Sequence, residues 1–134
     1  MSYSITSGKS KLWLVSLVLL STLSACGHPA QRRLQGRWIG EAIENVDPSF
    51  IAAATGWAKG TSFEFSGERL TVIIPAEEPR VGTYTIASVR DDQIMLQAKR
   101  ADGTLDPVEL RLQDEHSLQW ILPTGASLRL RKSN

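Results

Sequence analysis

The chain has 134 residues, 42% of them hydrophobic and 22% charged, with 15 Lys and Arg against 14 Asp and Glu. That length supports one domain with a buried core rather than two. The formal net charge of +1 excludes the basic surplus by which nucleic-acid binders hold phosphates, so no nucleic acid is expected as a partner.

Charge is placed unevenly along the chain. Residues 1–25 hold Lys9 and Lys11 and no acid, so the remainder carries 13 basic against 14 acidic side chains. The basic Lys9-Ser10-Lys11 precedes an apolar run from Leu12 to Leu20, and the small residues Ser21, Thr22, Ser24 and Ala25 then lead to Cys26. A basic start, a short apolar stretch and a small-residue exit are the three parts of a secretory signal. The apolar run is about half of the ~20 residues that a spanning helix needs, so cleavage is expected rather than retention as an anchor.

The exit sequence Leu23-Ser24-Ala25-Cys26-Gly27 resembles the lipobox of bacterial lipoproteins. The resemblance implies cleavage between Ala25 and Cys26, diacylglycerol on the Cys26 thiol and acylation of the new amine, which makes a membrane lipid the partner held through Cys26. Two or more acyl chains anchor stably where one does not. Gly27, rather than Asp, after the cysteine is similar to the default for lipoproteins sent to the outer membrane, which implies its periplasmic face. Cys26 is the only cysteine, so an intramolecular disulfide is excluded.

Residues 26–35 are short, polar and basic, with His28, Arg32 and Arg33, and read as a lipidated tether between the bilayer and a domain spanning 36–134. From Trp38 onward, runs of period-2 alternation follow one another at spacings of roughly 8 to 12 residues, the pattern of an all-β sandwich or barrel. Trp38, Gly40 and Ala42 share a face in the first run. Phe63 and Phe65, then Leu70, Val72 and Ile74, continue it, and Leu128 and Leu130 close it. Turns such as Ser66-Gly67-Glu68, Ala101-Asp102-Gly103 and Pro123-Thr124-Gly125 imply antiparallel neighbours. The expected fold is a small antiparallel meander barrel of about eight strands, closed or nearly so to hide its dry face and edges.

One stretch does not alternate. Asp47 is a good N-cap, Pro48 suits a first helical position, and Gly56 or Gly60 can end a helix. One short helix is therefore expected after the first strand, with Phe50, Ile51, Ala54 and Trp57 on one face. That face either plugs one end of the barrel or forms a mobile lid over a ligand cavity.

The opening Leu34-Gln35-Gly36-Arg37-Trp38-Ile39-Gly40 resembles the Gly-x-Trp start of lipocalin-like (calycin) barrels, and the closing Leu128-Arg129-Leu130-Arg131 is similar to the late basic residue of that family. The resemblance implies that Gly36 and Trp38 pack the barrel floor and that Arg129 or Arg131 covers the Trp. The chain is shorter than a lipocalin and carries its helix after the first strand, so both a hollow interior and one filled by side chains remain open.

Residues for chemistry are sparse. His28 falls in the tether and His116 in a turn beside Asp114 and Glu115, and Cys26 is used, so neither a metal site, a bound cofactor nor a nucleophile-base pair is expected. Glu77-Glu78 and Asp91-Asp92 sit at strand ends, where adjacent residues point to opposite faces, and read as loop charge. The expectation is a non-catalytic, membrane-anchored envelope lipoprotein whose barrel binds a lipid or other apolar ligand. The alternative is a protein-interaction subunit or hydrolase inhibitor of an envelope assembly, with the stiff loop Pro75–Arg80 as its exposed element.

Overall fold

The computed structural model describes residues 28–134. Residues 1–27, with the signal segment, Ala25 and Cys26, lie outside the described residues.

A short helix α1 (Pro29–Leu34) leads into strand β1 (Gly36–Glu44). A 3-10 turn (Pro48–Phe50) then runs into helix α2 (Ile51–Lys59). Seven further strands follow: β2 (Ser62–Ser66), β3 (Arg69–Ile73), β4 (Arg80–Arg90), β5 (Gln93–Arg100), β6 (Leu105–Leu112), β7 (Ser117–Ile121) and β8 (Ser127–Ser133). Each pairs antiparallel with the next, and β8 returns to pair with β1, so the sheet is a closed eight-stranded meander barrel. Closure removes the free edges that an open sheet of this size would present.

Alternation decides what is inside. Trp38, Phe65, Leu96, Leu110, Leu118, Leu128 and Leu130 all point inward and are almost completely buried. A β-bulge between Gly40 and Ala42 changes the phase of β1: Gly40 opposes Leu130, but Ala42 opposes the outward Arg129 and Ile43 opposes Leu128. The extra residue moves Ala42 off the inner face, against the uninterrupted alternation read from sequence.

The two ends of the barrel differ. The floor is the end where β1 begins and β8 finishes. Here residues 29–34 of the segment read as a lipidated tether form α1, started by Pro29 and by the His28 imidazole Nδ1, which accepts from the Ala30 N–H at 3.1 Å. Its Ala30 and Leu34 join the core, and Leu34 is wholly buried. The burial of Leu34 beneath Trp38 explains why this polar, basic segment folds onto the barrel instead of remaining extended. Gln35 fixes the adjoining hairpin: its Oε1 accepts from Gly67 N–H at 2.6 Å and its Nε2 donates to Gly67 O at 3.1 Å. The Tyr84 hydroxyl donates to the same carbonyl at 2.9 Å.

At the opposite end, the mouth, Asp47 accepts from Ser49 N–H at 3.0 Å and from its hydroxyl at 2.8 Å. These bonds hold its carboxyl below the ordinary carboxylate range and start the helical segment. The segment ends at Gly60, with Gly56 inside the helix. The inner face of α2 matches the one read from sequence only in part, at Ala54 and Trp57. Phe50 and Ile51 are 63% and 51% exposed, whereas Ala58 is wholly buried and Trp57 packs on the core. Contact with β1 sets this orientation: a Cβ on Gly40 would stand 2.0 Å from Ala58 O, and Gly40 N–H donates to Thr61 O at 2.9 Å. Only glycine lets the end of α2 come this close to β1.

Two outcomes follow from these contacts. Gly40→Ala forces α2 off β1 and should cost at least about 2 kcal/mol, the scale of core overpacking, read as a lowered urea midpoint. Burial is the main cause that raises the Tyr84 phenol above its ordinary value of 10.0. Its contribution is therefore complete below the unfolded-state pKa near 10 and is lost as pH rises through the higher folded value. Thermal unfolding should show a decline in stability above pH 10 that Tyr84→Phe removes, at a cost of about 1 kcal/mol at neutral pH for the lost hydrogen bond.

Candidate functional site

The floor half of the barrel is filled. Trp38 occupies it, with Nε1 donating to Leu34 O at 2.8 Å. Gly36 begins β1 at φ +118°, a backbone conformation suited to glycine, and a Cβ there would stand 3.2 Å from Lys132 Cε. The cation on Trp38 is Lys132, whose Nζ lies 5.0 Å from the ring centroid. Arg129 and Arg131 do not cover the Trp. They stand on the outer wall, where Arg129 pairs with Glu44 at 3.3 Å and Glu41 at 3.5 Å, and Arg131 pairs with Glu41 at 3.0 Å. Strand parity explains the correction: Lys132 shares the inward face with Leu128 and Leu130, and the two arginines alternate with them.

The mouth half is hollow. A cavity of about 500 Å³ lies inside the upper barrel, walled by Phe63, Leu70, Val72, Ala98, Val108 and Trp120. Its volume falls within the roughly 300–1,000 Å³ range of small-molecule sites. Trp120 lies 5.1 Å from Phe63, so two aromatic rings form part of the wall, and Trp57 of α2 stacks behind Trp120 with centroids 6.4 Å apart. The opening lies between Ile74 and Arg80 after β3, Arg100 at the end of β5, and Leu122 and Pro123 after β7. The β5–β6 hairpin extends beyond β7, whose pairing with β6 begins only at Glu109. On that unpaired stretch of β6, Pro107 removes one N–H and so blunts the edge.

Charge enters the cavity at its rim. Arg80 opposes Val72, Arg100 opposes Gly82 and Asp106 opposes Ala98, so all three belong to the inward face. Arg100 binds Asp106 through two bonds, Nε to Oδ2 at 2.6 Å and Nη2 to Oδ1 at 3.2 Å. The carboxylate hydrogen bond and charge raise the Arg100 pKa further above its already high value, keeping the guanidinium charged. Arg80 meets Glu77 at 3.2 Å through a single bond. Both pairs are partly solvated, at 41% and 35% exposure for Arg100 and Asp106 and 45% and 47% for Arg80 and Glu77.

Of the residues singled out in the sequence, Trp57 stacks on Trp120 of the cavity wall, while Phe50 of the 3-10 turn and Ile51 at the start of α2 are exposed. His116 lies in the β6–β7 turn at the floor end, its N–H held by Asp114 Oδ1 at 2.7 Å. Among the described residues, no three His, Cys, Asp or Glu side chains come together as a metal site. The Arg100–Asp106 pair was missed in the sequence, although Arg100 continues the inward series Ile94, Leu96, Ala98 at intervals of two.

The chain matches no protein-family model, and neither the curated proteins nor the solved structures give a match. The site therefore has to be read from its own geometry.

Packing around the void generates a test. Ala98→Leu adds side-chain volume to the hollow half and should change the unfolding free energy, read from urea titration, by less than about 1 kcal/mol, since the void takes the added carbons without the usual overpacking penalty. The smaller addition of one methyl group at a filled position, Gly40→Ala above, is expected to cost more.

Proposed function

We propose that the protein is a non-catalytic binding module of the cell envelope, a lipid-anchored, lipocalin-like barrel that takes a lipid or other apolar ligand into its upper half. The observation that carries this reading is the cavity of about 500 Å³, walled by aliphatic and aromatic side chains in a barrel whose other half is packed solid. Eight strands enclose an interior that side chains can fill, so a half left empty and apolar is suited to a guest.

The anchor is the Cys26 of the lipobox-like Leu23–Cys26 segment. Only Gly27 and His28 separate Cys26 from Pro29, a span of at most about 11 Å of extended chain. With acyl chains on Cys26, the floor end faces the bilayer and the mouth faces away from it, toward the periplasm for a protein on the inner leaflet of an outer membrane. Ligand exchange then takes place with a carrier or partner in that space rather than with the anchoring bilayer.

A second reading, a protein-interaction subunit or hydrolase inhibitor, is supported by four large apolar side chains exposed on the 3-10 turn, α2, β4 and β6. Phe50, Ile51, Val81 and Leu105 are each at least 50% exposed. The Pro75–Arg80 loop adds a charged rim beside them.

Cys26→Ser should release the protein from the membrane fraction or block its maturation, and unchanged membrane retention would refute the anchor. Protein purified from membranes should carry an apolar molecule detectable by mass spectrometry of an organic extract. An empty extract together with a stoichiometric protein partner in a pull-down favours the interaction reading instead.

A further inference from the structure

The rim charges of the cavity remain to be explained. A barrel that held a purely apolar guest would have no use for charged side chains on the inward face of its apolar half, because a neutral tail reaching them gains nothing and strips water from them. Three ionisable residues occupy such positions around the opening, Arg80, Arg100 and Asp106. Two are guanidinium groups and one is a carboxylate, so the inward face of the mouth carries a surplus of one positive charge. The remaining counter-charge, Glu77, lies on the β3–β4 loop and touches Arg80 through one half-exposed contact. Exposed pairs of this kind are worth about 0–1 kcal/mol and exchange readily.

We infer that the cavity selects a single-chain anionic amphiphile, with its tail against Phe63, Val72, Val108 and Trp120 and its carboxylate or phosphate head at Arg80 and Arg100. This rests on the binding reading above and deepens it. The head group displaces Glu77 from Arg80 and takes the donors of Arg100 that Asp106 leaves free, since a guanidinium has five N–H groups and Asp106 occupies two. Asp106 keeps Arg100 aimed across the opening, which makes it a positioning residue whose own charge opposes the ligand. Charge-assisted, forked hydrogen bonds favour an anionic head over a neutral one of the same size, whereas the tail contributes equally to both.

A matched pair of probes tests the head group alone. 9,10-Dibromostearate and its methyl ester share a tail whose bromines quench tryptophan, and Trp120 lines the cavity with Trp57 stacked on it. In titrations of the detergent-solubilised full chain, the acid should quench at roughly tenfold lower concentration than the ester, equivalent to about 1.4 kcal/mol. The double variant Arg80→Gln, Arg100→Gln should remove that difference while the ester still quenches. The double lysine variant should restore most of it, which separates loss of charge from loss of fold. Asp106→Asn should widen the preference for the acid. Equal quenching by acid and ester in the unaltered protein overturns the head-group inference and leaves the apolar cavity intact. Absence of quenching by both overturns the binding reading itself.

Discussion

Pairing of β8 with β1 is the constraint on which the remainder of the molecule rests. Once the meander closes, strand number and tilt set the width of the interior, and the side chains on the inward positions must fill it, leave it hollow or admit another molecule. The seam carries seven register pairs from Arg37↔Ser133 to Glu44↔Ser127. It contains the bulge that turns β1 at the point where α2 docks. Gly40 is central to both features, since it opposes Leu130 across the seam and receives the end of α2 on its bare Cα.

Closure produces two unlike halves because the large side chains are distributed unequally between them. Trp38, Leu34, Leu110, Leu118 and Leu130 concentrate at the floor, where α1 adds apolar surface from outside the sheet. Toward the mouth, the inward positions of β4 and β5 are Gly82 and Ala98, and Val108 follows on β6. Small residues on adjoining strands leave the space that the floor fills. The helix beside this space packs its last turn closely against β1, at Gly40. Access is through the staggered rim, where the β5–β6 hairpin outruns β7 and charged side chains meet solvent.

That arrangement joins an apolar recess to an ionic rim without burying a charge. The rim guanidinium groups remain solvated, so holding them there costs little. On the binding reading proposed above, they become valuable when a ligand brings its own anionic group to the same place, which would let the barrel discriminate among guests that share a tail. The proposed anchor at Cys26 would add a direction, presenting this rim away from its own bilayer.

Local sequence determined the strands, their turns and the antiparallel meander, because period-2 alternation and turn chemistry are properties of a few neighbouring residues. It also determined that a helix follows the first strand, since Asp47 and Pro48 cap it locally. Tertiary structure decided the phase of each element. The bulge put Ala42 outside, the contact at Gly40 turned Phe50 and Ile51 to solvent, and the parity of β8 gave Lys132 rather than Arg129 to Trp38. The segment before Gly36 became a floor helix because Leu34 found Trp38 to pack against, a contact invisible in a polar, basic stretch. The hollow half and its rim were decided in the same way: Arg80, Arg100 and Asp106 are far from one another or ambiguous in the sequence, and only the register across β3, β4, β5 and β6 places all three on the inward face.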